Sequence, residues 1–428
     1  MTGIPHVLII GGGLGGLCLA QGLRKAGLGF AVYERDDVRG LEQDRFQDQR
    51  VRIGPQGARA LYECLPPEAW EEFTACAEGG GRSAFVTEQL RELLVLPQPT
   101  AGTTPQHTHH RASGSALHRL LMSGLDGHLV HGGREFTGYE RTGDGRIGAH
   151  FADGATAHGD LLVGADGADS RVRRQLLPHA VRADTHVLAV SGRLDLAGAR
   201  TDELPEILVT ASTSVLTPRS DAMFCAAGLT SAAGRRGRAG ADPGPADGPL
   251  LARPGHHVLW TYVARTATYP RDVGHFDGKA LRAEVAGRIE SWHPDLVRLV
   301  AEADPESVVA VRMLGMRPVE PWPPGPVTLL GDAIHGMPAL GGTGATTALR
   351  DARLLSGLLA RRRDPVQAIG AYESEMRSYG FDAVARSLRA TRSATSESRL
   401  ARTLLRGALR TAAHSGWVRA AVFRDFGE

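Results

Sequence analysis

The sequence predicts an α/β chain: a parallel sheet wound with helices, an inserted antiparallel β-sheet domain, and a C-terminal helical segment. Three observations carry that expectation. The apolar run Val7-Leu8-Ile9-Ile10 passes into a glycine-rich turn at 11–16 and then into an apolar helical face. Two later blocks, 160–174 and 327–355, repeat the order of apolar strand, turn with glycine and aspartate, helix. Between them, 183–196, 207–229 and 258–263 alternate like half-buried strands.

Length and composition set the limits. At roughly 100–200 residues per domain, 428 residues predict two or three domains, or one core with a large insertion. Apolar residues make up 42% and charged residues 22%, enough to bury a core without disulfides or metals. The net charge of +2 gives no global field toward nucleic acid. Cys18, Cys64, Cys76 and Cys225 show no close pairing, so neither a zinc knuckle nor a disulfide framework is expected. No apolar run reaches the ~18 residues of a membrane span, and the short His6–Ile10 segment is no signal peptide, so a cytoplasmic address is expected. Lys25 and Lys279 are the only lysines among 49 basic residues, which with abundant Ala and Gly suggests a high-GC bacterial source. The 54 glycines are nearly twice the average share of about 7%. Their positions decide what they mean.

The first glycines sit where a dinucleotide binds. Leu17, Leu19, Ala20 and Leu23 form one helical face after the turn, Gly27 ends the helix, and strand Phe30–Tyr33 ends in Glu34. In this strand–turn–helix–strand unit, Gly11 permits the tight turn, Gly13 admits a pyrophosphate to the backbone, and Gly16 lets helix pack on strand. Helix-start amides face the phosphates, and Glu34 accepts from a ribose hydroxyl. Whether the ligand is NAD or FAD stays open on this block alone.

Residues 45–65 read as a strand around Arg50–Ile53 and a helix from Pro55, with Arg45 and Arg50 as weak candidates for ligand contact. His107, His109, His110 and His118 invite a metal, but no carboxylate or thiol spacing supports one; a surface loop is expected, and no metal. In 160–174, strand Leu161–Val163 leads to Asp166-Gly167 and a helix near Ser170. Residues 231–256, thick with Gly, Pro, Ala and Arg, read as a loop. In 327–355, strand Val327–Leu330 leads to Gly331-Asp332, then glycines at 341–344 open a helix containing Asp351. Open α/β sheets bind ligands at such strand ends. The segment 383–428 reads as a helix with Leu388, Leu400, Leu404, Leu405 and Leu409 as its docking face and a solvated arginine face; contact with a membrane surface is the alternative.

The three blocks in this order resemble the single-component FAD-dependent monooxygenases of the para-hydroxybenzoate hydroxylase type. The resemblance covers 6–35, 45–65, 115–175 and 308–360. It implies a Rossmann-like FAD-binding domain at 1–75, 107–182 and 308–370, a substrate domain at 76–106 and 183–307, and C-terminal helices at 371–428. Gly11, Gly13, Gly15, Gly16, Glu34 and Arg35 would hold the ADP half of FAD, Asp166 and Gly167 match the family's DG motif, and Gly331 and Asp332 match its GD motif on the ribityl–phosphate part. Pro338, Gly341, Gly342, Gly344 and Ala345 would lie beside the flavin ring, where a helix N-terminus stabilises negative charge. His335 is commonly seen in the family and reads as a packing residue. Two departures stand out: Gly114 where an Arg is usual, with Arg111 and Arg119 as substitutes, and Thr346 where Asn is usual.

By the same resemblance, NADPH or NADH binds transiently and reduces the flavin, and one oxygen atom of dioxygen passes to an electron-rich small molecule. With 5% aromatic residues and no obvious charged anchor, the expected substrate is mainly apolar. The alternative is a relative that keeps FAD as a scaffold and cyclises a polyene without redox turnover. A flavin halogenase lacks its W-x-W-x-I-P segment here, and a flavin-binding carrier is the reading from outside the enzymes. Oligomeric state is not legible.

Overall fold

The computed structural model describes residues 5–37, 50–79, 81–96, 104–125, 127, 129–196, 204–228 and 257–417. Arg45 and the loop expected at 231–256 lie outside the described residues. The chain forms two compact units: 1–78 with 103–183 and 314–387, and 79–102 with 184–313 and 388–428. Residues 371–428, expected as a segment of their own, are divided. Pro365–Ala394 is one unbroken helix whose Tyr372 and Met376 are buried in the first unit's core, so the stretch to 387 groups there.

The first unit is built on strands β1 (His6–Ile10), β2 (Gly29–Tyr33), β3 (Arg50–Ile53), β4 (His110–Ser113), β5 (Val130–His131), β6 (Leu161–Gly164) and β7 (Val327–Leu329). Its helices α1 (Leu14–Lys25), α2 (Pro55–Cys64), α3 (Gly114–Met122), α4 (Arg171–Leu176), α5 (Gly344–Arg361) and α6 (Pro365–Ala394) connect or flank them. A five-stranded parallel sheet runs in the order β7-β6-β1-β2-β5. Its centre is β1, where Val7, Leu8 and Ile9 are fully buried, which is why that stretch reads as an unbroken apolar run. Burying each such side chain contributes about 1.5–3 kcal/mol. A separate ribbon pairs β3 with β4 in antiparallel register.

The second unit carries a seven-stranded sheet in the spatial order 309–316, 182–195, 257–265, 221–228, 211–216, 82–87, 92–96. The expected antiparallel pairing holds for most neighbours, but Ala211–Leu216 runs parallel to Arg82–Thr87. A parallel pair needs a crossover of about a dozen residues or more, and the long excursion through the other unit supplies it. The stretch 207–229 is not one strand: a short helix, Glu206–Thr210, precedes two strands that form a hairpin. One sheet face packs Trp260 and Tyr262 in a core shared with Leu296, Leu299 and Val300 of helix Pro294–Ala301.

The C-terminal helix Arg399–His414 corrects the expected docking face. Leu409 and Ala412 pack with Leu93 and Leu94, whereas Leu400 and Leu404 face solvent at 71% and 64% exposure. Arg402 is buried instead, donating to the carbonyls of Thr217, Ala394 and Asp221. A guanidinium with several carbonyl partners satisfies its donors where a leucine would satisfy none of those oxygens.

Candidate functional site: a dinucleotide cradle at the strand ends

The three sequence blocks converge because β1, β6 and β7 are neighbours in one parallel sheet and end on the same side. The chain leaves β1 through Gly11, whose φ of +110° belongs to glycine, and a Cβ there would stand 2.3 Å from the Ala165 carbonyl oxygen. The turn then lays α1 on the strand: a Cβ at Gly16 would stand 2.1 Å from the Gly11 oxygen, and one at Gly15 would meet Leu330 at 2.5 Å. Gly13 differs. A Cβ there would meet nothing within 4 Å, so its freedom serves something other than packing. No side chain caps α1 and no acid occupies its first turn, which leaves its N-terminal amides to an anion.

Glu34, at the end of β2, is buried and accepts from the Gly12 amide at 2.7 Å through one oxygen, while the other accepts from the Asp36 amide at 3.2 Å. It therefore shapes the turn as well as facing it. Arg35 is exposed and pairs with Asp36 at 3.5 Å. His118 on α3, which the sequence offered only as a metal candidate, reaches the Gly12 carbonyl through Nε2 at 2.9 Å and supports the turn from outside. Arg119 is half-buried in the last turn of the same helix.

At the end of β6, Asp166 caps α4, accepting from the amides of Arg171 (2.8 Å) and Val172 (3.2 Å). Burial pushes its carboxyl pKa up despite those donors. Gly167 beside it has a left-handed φ of +73°. At the end of β7, Asp332 is exposed, and among the described residues no group donates to its carboxylate. Its pKa is raised by burial, opposed by His335 and Arg182 and reinforced by Asp351. A carboxylate with no donor among the described residues can accept from the hydroxyl groups of a ligand.

Behind Asp332 lies a buried support. The Asp351 carboxylate accepts from the Gly331 amide at 2.8 Å and bonds His335 Nε2 at 2.6 Å, and the Tyr379 hydroxyl donates to its other oxygen. Burial pulls the His335 pKa down, but the Asp351 charge and hydrogen bond outweigh it and the net direction is up. His335 packs, as the sequence reading had it, and the missed element is Asp351, which fixes the turn that presents Asp332.

The loop that follows closes the cradle. Pro338 is buried, and its carbonyl accepts from the Ser387 hydroxyl. A Cβ at Gly341 would stand 3.3 Å from Ser387, and Gly342 is left-handed at φ +61° beside Arg52. Helix α5 begins at Gly344 without a side-chain cap, and a Cβ at Gly344 would lie 3.8 Å from Asp332 Oδ1. Ala345 is half-buried in the first turn. Thr346, in place of the usual Asn, ties the start of α2 to α5, its hydroxyl accepting from the Gly54 amide at 2.8 Å.

Two helix N-termini, an open glycine and a carboxylate with no donor among the described residues are groups a dinucleotide could use: anion sites for phosphates and an acceptor for sugar or ribityl hydroxyls. Comparison with known proteins agrees. Residues 283–387 match the FAD binding domain model and 9–73 the NAD(P)-binding Rossmann-like domain model. A crystal structure from Photorhabdus luminescens subsp. laumondii, assigned as an FAD containing monooxygenase, is 34% identical, covers 91% of this chain and 98% of its own, and superposes with a TM-score of 0.78. The chain belongs to the FAD-dependent monooxygenases.

Among curated relatives, a dual O-methyltransferase/FAD-dependent monooxygenase of Phaeosphaeria nodorum is 30% identical over 89% of this chain and 45% of its own length. The chain thus spans under half the length of the first curated relatives it matches. Aurachin C monooxygenase/isomerase of Stigmatella aurantiaca is 28% identical over 91% of this chain and 89% of its own. In this monooxygenase chain FAD is the cofactor, and the cradle residues fit it: the open Gly13 and Asp332 without partners are the features a bound dinucleotide would use. Among the described residues, no helix is long and apolar enough to cross a membrane.

Proposed function

We propose that the chain is an NAD(P)H-dependent hydroxylase or epoxidase that inserts one oxygen atom of dioxygen into an electron-rich, mainly apolar small molecule in bacterial natural-product biosynthesis. The observation that carries the reading is the convergence of Gly13, Asp332 and the α5 N-terminus at one edge of the parallel sheet. Bound FAD supplies the redox and oxygen chemistry. The protein's part is to hold it: α1 amides and Gly11–Gly16 at the pyrophosphate, Glu34 at the ribose, Asp166 and Gly167 near the phosphates, Asp332 at the ribityl hydroxyls, and 338–345 along the ring. The second unit takes the substrate. Its sheet face opposite the core carries half-buried Ser191, Phe224, Leu259 and Thr261, a mixed apolar and hydroxyl surface. Relatives named for aurachin C and for a fused O-methyltransferase support a natural-product substrate. A cytoplasmic address accompanies this reading.

The test is NAD(P)H oxidation under air with a panel of pathway intermediates, followed by mass spectrometry. Substrate-dependent oxidation and a product heavier by one oxygen atom are expected. Products of unchanged mass formed without NAD(P)H consumption would instead establish the non-redox cyclase.

A further inference from the structure

The ribbon of β3 and β4 places two like charges opposite each other. Arg52 and Arg111 are register partners, and side chains directly opposite have Cβ atoms about 4.5–5.5 Å apart, where like charges repel. Val51 and Ile53 pack into the core, so strand alternation sends Arg52 to the other face. There it runs along the 339–344 turn: a Cβ at Gly342 would stand 3.4 Å from Arg52 Cδ and 3.9 Å from a guanidinium nitrogen. Among the described residues, its guanidinium makes no hydrogen bond and no ion pair. It is exposed, and partial burial lowers its pKa. The pKa of His109 is lowered first by burial, then by Arg52 and His110. Helix α5 starts two residues beyond Gly342 and adds about half a positive charge at its N-terminus.

Positive potential from two independent sources therefore meets at this turn, and among the described residues no carboxylate pairs with Arg52. We propose that Arg52 is the fixed counter-cation for the negative charge that the flavin ring acquires on two-electron reduction. This rests on the reading that 338–345 lies along the ring. Hydride transfer from NAD(P)H delivers two electrons and one proton to the ring and leaves NAD(P)+; at neutral pH the reduced ring keeps one net negative charge. Arg52 forms no bond in that step and gives up no proton. It shifts the equilibrium by favouring the charged product, as any preorganised cation does. The same cation favours the reduced over the oxidised ring, which separates it from a residue that merely grips phosphate.

The experiment compares the FAD-loaded parent with Arg52→Gln and Arg52→Lys, reading the flavin midpoint potential by dye equilibration and oxidised-FAD affinity by titration of the apoprotein. Arg52→Gln should bind oxidised FAD within about threefold of the parent while losing about tenfold in preference for the reduced form, a potential lower by about 30 mV. Arg52→Lys should keep most of that preference. An unchanged potential in Arg52→Gln, or equal weakening of both redox forms, overturns the proposal. Should Arg52→Gln fail to give a cooperative melt, Arg52→Met removes the charge, keeps an apolar stem, and is read the same way. A parent that takes up no FAD sinks the functional reading itself; an FAD-loaded parent whose variants titrate alike sinks only this inference.

Discussion

Replacing Gly13 and Gly16 with alanine separates two roles that glycine plays within one turn. Gly13 has φ −74° and ψ −179°, a conformation any residue adopts, and open space where its Cβ would go. Loss of unfolded-state freedom favours the alanine variant by about 0.4–1 kcal/mol. Alanine is a poorer helix N-cap than glycine by a comparable amount, roughly 0.5–1 kcal/mol. The two offset, so Gly13→Ala apoprotein should melt within about 1 kcal/mol of the parent. On the proposed reading, however, its methyl group enters the space that the pyrophosphate would take. A loss of at least ~1.4 kcal/mol, tenfold in FAD affinity, is expected. Gly16→Ala behaves oppositely. Its Cβ would sit 2.1 Å from a backbone oxygen that cannot swing aside, so α1 must lift from β1. Overpacking of that kind costs about 1–3 kcal/mol or more. The assay is thermal melting of each apoprotein beside fluorescence titration with FAD. Parental affinity in Gly13→Ala would show that the turn faces no ligand, and a Gly13→Ala melt as low as that of Gly16→Ala would refute the open-space argument.

Other outcomes follow from single residues. Asp332→Ala should purify without flavin while its apoprotein melts no lower than the parent, because among the described residues the carboxylate has no donor to lose; a fully yellow variant would remove Asp332 from the cradle. Glu373, buried on α6 and accepting from Thr328 at 2.8 Å, has its pKa raised by burial from 4.5 to about 7. The folded state therefore holds this proton more tightly, so stability is full below about pH 4.5 and falls as pH rises to about 7, by roughly 3 kcal/mol at most at 1.36 kcal/mol per unit. Glu373→Gln should flatten that part of the pH–stability curve in urea melts and raise stability at pH 8. Thr346→Val leaves the Gly54 amide without its acceptor and should cost about 1–3 kcal/mol in chemical denaturation, whereas Thr346→Ser should cost much less.

What the sequence determined by itself is local in origin. A fully buried strand must read as an unbroken apolar run, a turn where a Cβ would stand 2.3 Å from a backbone oxygen must be glycine, and a helix start follows both, so β1, α1, β6 and β7 were legible from neighbours within a few residues. Asp332 stood out for the same reason, ending an apolar strand. Tertiary structure alone decided the contacts between distant segments. The Thr346–Gly54 bond spans 292 positions, His118 reaches Gly12 across 106, and Gly331 meets Asp351 only when α5 folds back on β7. None leaves a periodic signal, because a side chain's partner across the fold is set by register and helix packing. Arg50–Ile53 read as a strand from its own residues, but the pairing of Arg52 with Arg111 depended on which residues of β4 came opposite. Likewise, Leu400 and Leu404 lie outward while Arg402 lies buried because the receiving surface offered carbonyl oxygens, and periodicity counts apolar residues without seeing what they will meet.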